Sequence, residues 1–90
     1  MLDVNFTTSF KKDYKRVQKR GYELNLLFEV LEKLKREEKL DRKYNDHPLY
    51  GNWSGHRELH ILPDWLLIYY LKNGVLYCVR TGTHSELLDL

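Results

Sequence analysis

The 90 residues (10.9 kDa) provide for one domain and a modest core, since domains usually take roughly 100–200 residues. At 42% hydrophobic and 31% charged the chain is neither disordered nor collagenous, and its longest apolar run, Trp65 to Leu71, is far short of the ~18 residues of a membrane span. The net charge of +2 hides an asymmetry: residues 1–44 carry +4 and residues 45–90 carry −2, with all four histidines in the second half.

The alternation Leu2-Asp3-Val4-Asn5-Phe6-Thr7 predicts a half-buried strand, with Thr8 or Ser9 able to cap the next element. Phe10, Tyr14 and Val17 recur at helical spacing and predict a helix whose exposed side holds Lys11, Lys12, Lys15, Arg16 and Lys19; Gly21 ends it. Within Lys11–Arg20 six basic residues face the single acid Asp13, the footprint of a polyanion or an acidic protein, or simply of a solvated face. Leu24, Leu27, Leu31 and Leu34, widened by Phe28 and Val30, predict a second helix that pairs with the first as a hairpin on one face of a sheet.

Residues 40–55 lose all periodicity and predict a loop too long to be idle in so small a domain. Three strands come next, Arg57–Leu62, Trp65–Leu71 and Val75–Arg80, with Pro63-Asp64 and the strong hairpin signal Asn73-Gly74 between them. A short amphipathic turn, Glu86-Leu87-Leu88, lies in the tail. The expected fold is therefore α+β: an N-terminal strand, a helical hairpin, then a three-stranded antiparallel meander, all in a single domain spanning 1–90. If both turns hold two residues, His60 and Arg80 lie opposite Leu67 from its two sides. That puts them in one row, about 10 Å apart across two strand spacings.

The opening residues have no basic stretch leading into an apolar one, so no signal peptide is expected. Cys78 is alone, which excludes an internal disulfide and a cysteine-built metal site and points to a reducing, cytoplasmic home without membrane contact. His56 and His60 have the i, i+4 spacing of helical zinc ligands, but their segment reads as a strand and no acidic cluster accompanies it. Neither metal nor cofactor is therefore expected. What remains once core positions are set aside is His47, His56, His60, Asp64, Arg80 and His84. Those residue types suit RNA cleavage, in which the substrate's own 2′-hydroxyl is the nucleophile and the protein supplies a base, an acid and a cation at the phosphate.

Five short motifs carry a resemblance in the same order: Asp46-His47-Pro48-Leu49, Gly51-Asn52-Trp53-Ser54-Gly55, His60, Pro63-Asp64-Trp65 and Arg80-Thr81-Gly82-Thr83-His84. With the β-α-α outline before them, they resemble the YafQ branch of the RelE/ParE toxin superfamily over nearly the whole chain. The resemblance implies a type II toxin, an mRNA interferase that cleaves message in the ribosomal A site and is silenced by an antitoxin. It also implies that His47, His60, Asp64, Arg80 and His84 are the catalytic positions and that Trp65 borders them; His56 lies outside the shared motifs and reads as a surface histidine. Leu88 stands where the family often has an aromatic able to stack on a base, an interaction of about 1–3 kcal/mol that leucine lacks.

Within this reading Arg80 neutralises the phosphate, His84 protonates the leaving oxygen, and Asp64 or His60 is nearer the attacking hydroxyl. Lys11, Lys12, Lys15, Arg16, Lys19 and Arg20 are expected to dock on ribosomal RNA. The antitoxin is expected to be acidic and partly disordered, and the toxin by itself to make no contact with DNA. The alternative is a ParE-like toxin that inhibits gyrase without nuclease chemistry.

Overall fold

The computed structural model describes residues 1–88. In chain order come β1 (Asp3–Phe6), α1 (Thr8–Lys19), α2 (Leu24–Lys35), β2 (His47–Pro48), β3 (Arg57–Leu62), β4 (Trp65–Lys72), β5 (Val75–Gly82) and α3 (His84–Leu88). Short 3-10 turns at Arg42–Tyr44 and Gly51–Trp53 punctuate the loop. The five strands form one mixed sheet in the order β1-β5-β4-β3-β2, with β1 parallel to β5 and the other pairs antiparallel. The predicted strands, helical hairpin and amphipathic turn at the tail are thus present, and one feature is added: β2, which extends the sheet beyond β3.

Local chemistry accounts for most boundaries. Thr7, not Thr8 or Ser9, caps α1: its hydroxyl accepts from the Phe10 N–H at 3.1 Å and donates to the Val79 carbonyl at 3.0 Å, fixing the corner between β1 and α1 to β5. Asn73 and Gly74 both have positive φ, 51° and 77°, as a primed two-residue turn requires, and Lys72 pairs with Val75 as that turn predicts.

The pleat of β4 sorts the core into two clusters. Trp65, Leu67 and Tyr69 join Leu59, Leu76 and Cys78 beneath α1 and α2, which contribute Phe10, Val17, Leu27, Val30, Leu31 and Leu34. Leu66 and Ile68 point the other way, where Leu87 of α3 covers them together with Leu49, Trp53 and Leu88. Each such side chain, fully buried, contributes about 1.5–3 kcal/mol. The helical hairpin therefore lies on one face, as expected, while α3 lies on the opposite face.

The row expected to join His60, Leu67 and Arg80 is corrected. His60 pairs with Leu66 and Arg80 with Ile68, because the register shifts between His60 and Leu62 and again between Ile68 and Tyr69. One extra residue in each outer strand, Ile61 and Val79, moves both partners by one position, as a bulge does. The Pro63-Asp64 connection thus does not carry simple two-residue pairing down to His60.

Candidate active site

The face opposite the helical hairpin gathers the titratable residues. His47 comes from β2, Glu58 and His60 from β3, Asp64 from the turn after it and His84 from the first residue of α3. Glu58 pairs with His47 on one side and Ile68 on the other, and two residues on, His60 projects from the same side of β3. Gly82 makes room for the last component. A Cβ there would stand 3.1 Å from Glu86 Oε1 and 3.4 Å from Leu87, and its φ of 152° is one that side chains rarely adopt. Its bareness lets α3 fold back over the sheet and brings His84 to the histidines of β2 and β3.

Glu58 is the centre of the group, although its side chain is almost wholly buried. Its Oε1 lies 3.3 Å from Nε2 of His60 and 3.3 Å from Nε2 of His84, and its Oε2 lies 3.6 Å from Nε2 of His47. A buried carboxylate needs compensating donors or cations, and three imidazoles supply them. In each ring the other nitrogen faces an oxygen: Nδ1 of His47 the Pro48 carbonyl at 3.1 Å, of His60 the Pro63 carbonyl at 3.3 Å, and of His84 the Asp64 carboxylate at 3.0 Å. These contacts fix the rings with Nε2 towards Glu58. The His60 and His84 ring centroids are 5.3 Å apart, and those of His47 and His60 are 6.3 Å apart.

Asp64 and His84 are joined twice, since Asp64 Oδ1 also accepts from the His84 backbone N–H at 3.1 Å. That backbone bond, then the side-chain one, holds the Asp64 carboxyl below its ordinary range. Asp64 is thus tied to His84 through Oδ1 while its side chain stays largely exposed.

Arg80 is held elsewhere. Its Nε and Nη2 donate to Asp13 of α1 at 2.6 and 3.2 Å, and among the described residues no hydrogen bond or ion pair joins it to His84. Trp65 is a second correction. It is 1% exposed in the helix-side core, with its edge against Tyr22 and its Nε1 donating to Thr81 Oγ1 at 2.9 Å, so it supports the site from beneath and offers substrate no surface. Leu88 is half-buried against Leu66 and Ile68 on the site face. Of the basic helix residues, Lys11, Lys12, Lys15 and Lys19 are exposed, but Arg16 and Arg20 are paired with Glu86 at 3.1 and 2.9 Å.

Glu58 was not singled out by the sequence reading. The available signal was the spacing Glu58-Leu59-His60, which puts a carboxylate and an imidazole on one side of a strand whose other side is apolar. His47, Glu58 and His60 also present three donor atoms within 4.8 Å of one another, a set able to hold a metal that favours imidazole, such as copper or zinc. His56, expected as a surface histidine, packs between Trp53 and Tyr70. Cys78 is fully buried, and burial pushes its thiol up to about 12, which removes it as a nucleophile.

A small mixed sheet with a helical hairpin on one face and a histidine–carboxylate cluster on the other defines a class of compact nuclease-like toxins. Residues 2–89 match the family model described as the bacterial toxin of type II toxin-antitoxin systems, YafQ, and the chain belongs to that family. The mRNA interferase toxin YafQ of Escherichia coli K12 is 41% identical over 86 residues, covering 94% of each chain. A metal-bound toxin from Helicobacter pylori superposes with a TM-score of 0.92 at 43% identity, covering 98% of this chain and 100% of that one. The toxin of the Escherichia coli DinJ–YafQ complex does so with a TM-score of 0.89 at 39% identity, covering 98% and 99%.

Proposed function

We propose that this toxin is an endoribonuclease that cuts mRNA in the ribosomal A site, with the 2′-hydroxyl upstream of the cut as nucleophile and no metal in the chemistry. The observation that carries the reading is the cluster of His47, His60 and His84 around Glu58. His84, oriented by Asp64 at 3.0 Å, gives its proton to the leaving 5′-oxygen. His60 and Glu58 lie together on β3, and His60 takes the proton of the attacking hydroxyl while Glu58 offsets the charge that it gains. Arg80, at the end of β5, supplies cationic donors for the phosphate, where one preorganised donor is worth roughly 3–4 kcal/mol. The products are a 5′-hydroxyl on the downstream fragment and a cyclic or 3′-phosphate on the upstream one.

Primer extension on translated message, with and without EDTA and with ribosomes kept intact, tests this. Cuts that persist in EDTA are expected; their loss would overturn the metal-free mechanism. DNA supercoiling by gyrase should be unaffected, and inhibition there would favour the gyrase-poisoning alternative.

The toxin's partner is a cognate antitoxin, as DinJ is for the Escherichia coli relative. An acidic, partly disordered chain fits the exposed lysines of α1, which border a groove lined by Phe6, Phe10, Tyr14 and Phe28.

A further inference from the structure

Asp13 is the single acid in the basic run of α1, and it is 1% exposed. Its carboxylate is fully engaged. Oδ2 accepts from Arg80 Nε at 2.6 Å and from the Thr81 backbone N–H at 3.1 Å; Oδ1 accepts from Arg80 Nη2 at 3.2 Å and lies 3.1 Å from Arg16 Nη2. The place of these bonds in the fold matters. The parallel pairing of β1 with β5 ends at Phe6 and Cys78, so beyond it β5 has lost its neighbour, and Asp13 takes the Thr81 N–H that β1 no longer reaches.

We propose that Asp13 is a positioning residue for RNA cleavage: by gripping two donors of Arg80, it sets the plane of the guanidinium that faces the scissile phosphate. The inference rests on Arg80 as the phosphate's cation. A guanidinium has five N–H groups, and Asp13 takes one on Nε and one on Nη2, leaving both on Nη1 and one on Nη2 for a phosphodiester. A two-point bond between planar groups fixes orientation as well as distance, whereas an unpaired arginine at a strand end samples many rotamers. Asp13 is buried and touches no substrate; its bonds to Arg80 are the ones that reach the phosphate's cation, while those to the Thr81 N–H and Arg16 tie α1 to β5 and to its own next turn. Placing a buried, ionised carboxylate on the core side of a helix is costly unless it is paired, and an apolar residue would pack α1 without that cost. The pairing with Arg80 gives the carboxylate at this position its purpose.

The test is single-turnover cleavage of a short message on ribosomes by the full chain at saturating toxin, comparing D13N, R80A, the double variant and R80K, with the melting temperature of each. R80A is expected to slow cleavage about 10²–10³-fold. D13N is expected to slow it about 10- to 100-fold, with the loss in kcat and not in the apparent affinity for ribosomes. With the effect of Asp13 on cleavage carried by Arg80, D13N/R80A should be no slower than R80A. R80K keeps the charge but cannot be gripped at two points, so it should lose about as much as D13N; this variant leaves Asp13 in place and covers the case in which D13N does not fold. A folded D13N or an R80K that cuts at the parent rate, with R80A slow, overturns the positioning role and leaves Arg80 standing. Additive losses in the double variant overturn it too, and an R80A that cuts at the parent rate overturns the reading of Arg80 and this inference together.

Discussion

At the scale of single residues, chemistry at the site comes down to which oxygen each imidazole nitrogen meets. His84 has Asp64 at Nδ1 and Glu58 at Nε2, so a carboxylate faces each of its ring nitrogens. H84Q keeps size and hydrogen bonding but cannot act as an acid. It should lose about 10²–10⁴-fold in cleavage while melting at the parent temperature and binding the antitoxin undiminished. An RNA with sulfur in place of the leaving 5′-oxygen needs no acid, and both proteins should cut it at nearly the same rate. A glutamine variant that remains toxic would make His84 structural.

The same geometry makes the site vulnerable to metal. A copper or zinc ion at His47, Glu58 and His60 needs the lone pairs that proton transfer uses. Micromolar Cu²⁺ or Zn²⁺ should therefore inhibit cleavage and EDTA should restore it, and H47A should weaken metal binding measured by titration calorimetry. Stimulation by either ion would contradict this account. From sequence alone, His47, His60, Asp64 and His84 were legible because each sits in a motif or beside a turn. Glu58 was not, since one acid in a strand looks like ordinary alternation until β2 and α3 bring two more histidines to it.

At the scale of elements, α3 is short and must be held by its neighbours. Leu87 inserts against Leu66 and Ile68, and Glu86 ties α3 back to Arg16 and Arg20 of α1 and to the hydroxyl and N–H of Thr83. Partial burial pushes the Glu86 carboxyl up, but the bonds from Thr83 and Arg20 outweigh it, so it titrates below its ordinary 4.5. A carboxyl whose folded value is depressed contributes stability above its unfolded value and loses it as pH falls through the folded one. E86Q should accordingly melt lower than the parent at pH 7, with the gap closing progressively below about pH 4.5. A gap that persists at pH 3 would place the effect in packing and not in the ion pairs.

Elements were also where sequence reading succeeded and failed in distinguishable ways. The helices and the Asn73-Gly74 hairpin follow from local periodicity and turn chemistry, and they are present with their predicted pairing at the turn. The bulges at Ile61 and Val79 leave no such local signal. The first moved His60 from Leu67 to Leu66 and the second moved Arg80 from Leu67 to Ile68. The two-residue β2 is too short to show any period at all.

At the scale of the whole molecule, charge and chemistry are divided between the two halves of the chain. The lysines of α1 give one side a positive field, while the histidine cluster lies on the other face of the sheet. Contacts of this kind position without specifying, and they weaken steeply with salt. Reversing Lys11, Lys12 and Lys15 to Glu should reduce ribosome association and its salt dependence in pelleting assays while sparing the melting temperature. Arg16 and Arg20 belong to a different experiment, because their pairing with Glu86 means that reversing them would disturb α3. Unchanged ribosome binding by the triple lysine variant across salt would exclude α1 as the docking surface.

The parallel pairing of β1 with β5 has a consequence for the toxin's own synthesis. Thr7 and Val79, 72 residues apart, are joined by a hydrogen bond at the corner where β1 ends, and His84 comes only after β5. A nascent chain leaves the ribosome N-terminus first, and long-range strand pairing has to wait for the later partner. The helical hairpin can form while translation continues, but the edge strand has nothing to join and the imidazoles of β2 and β3 have no third ring. The site is therefore completed only after β5 and His84 are both available to join the earlier strands.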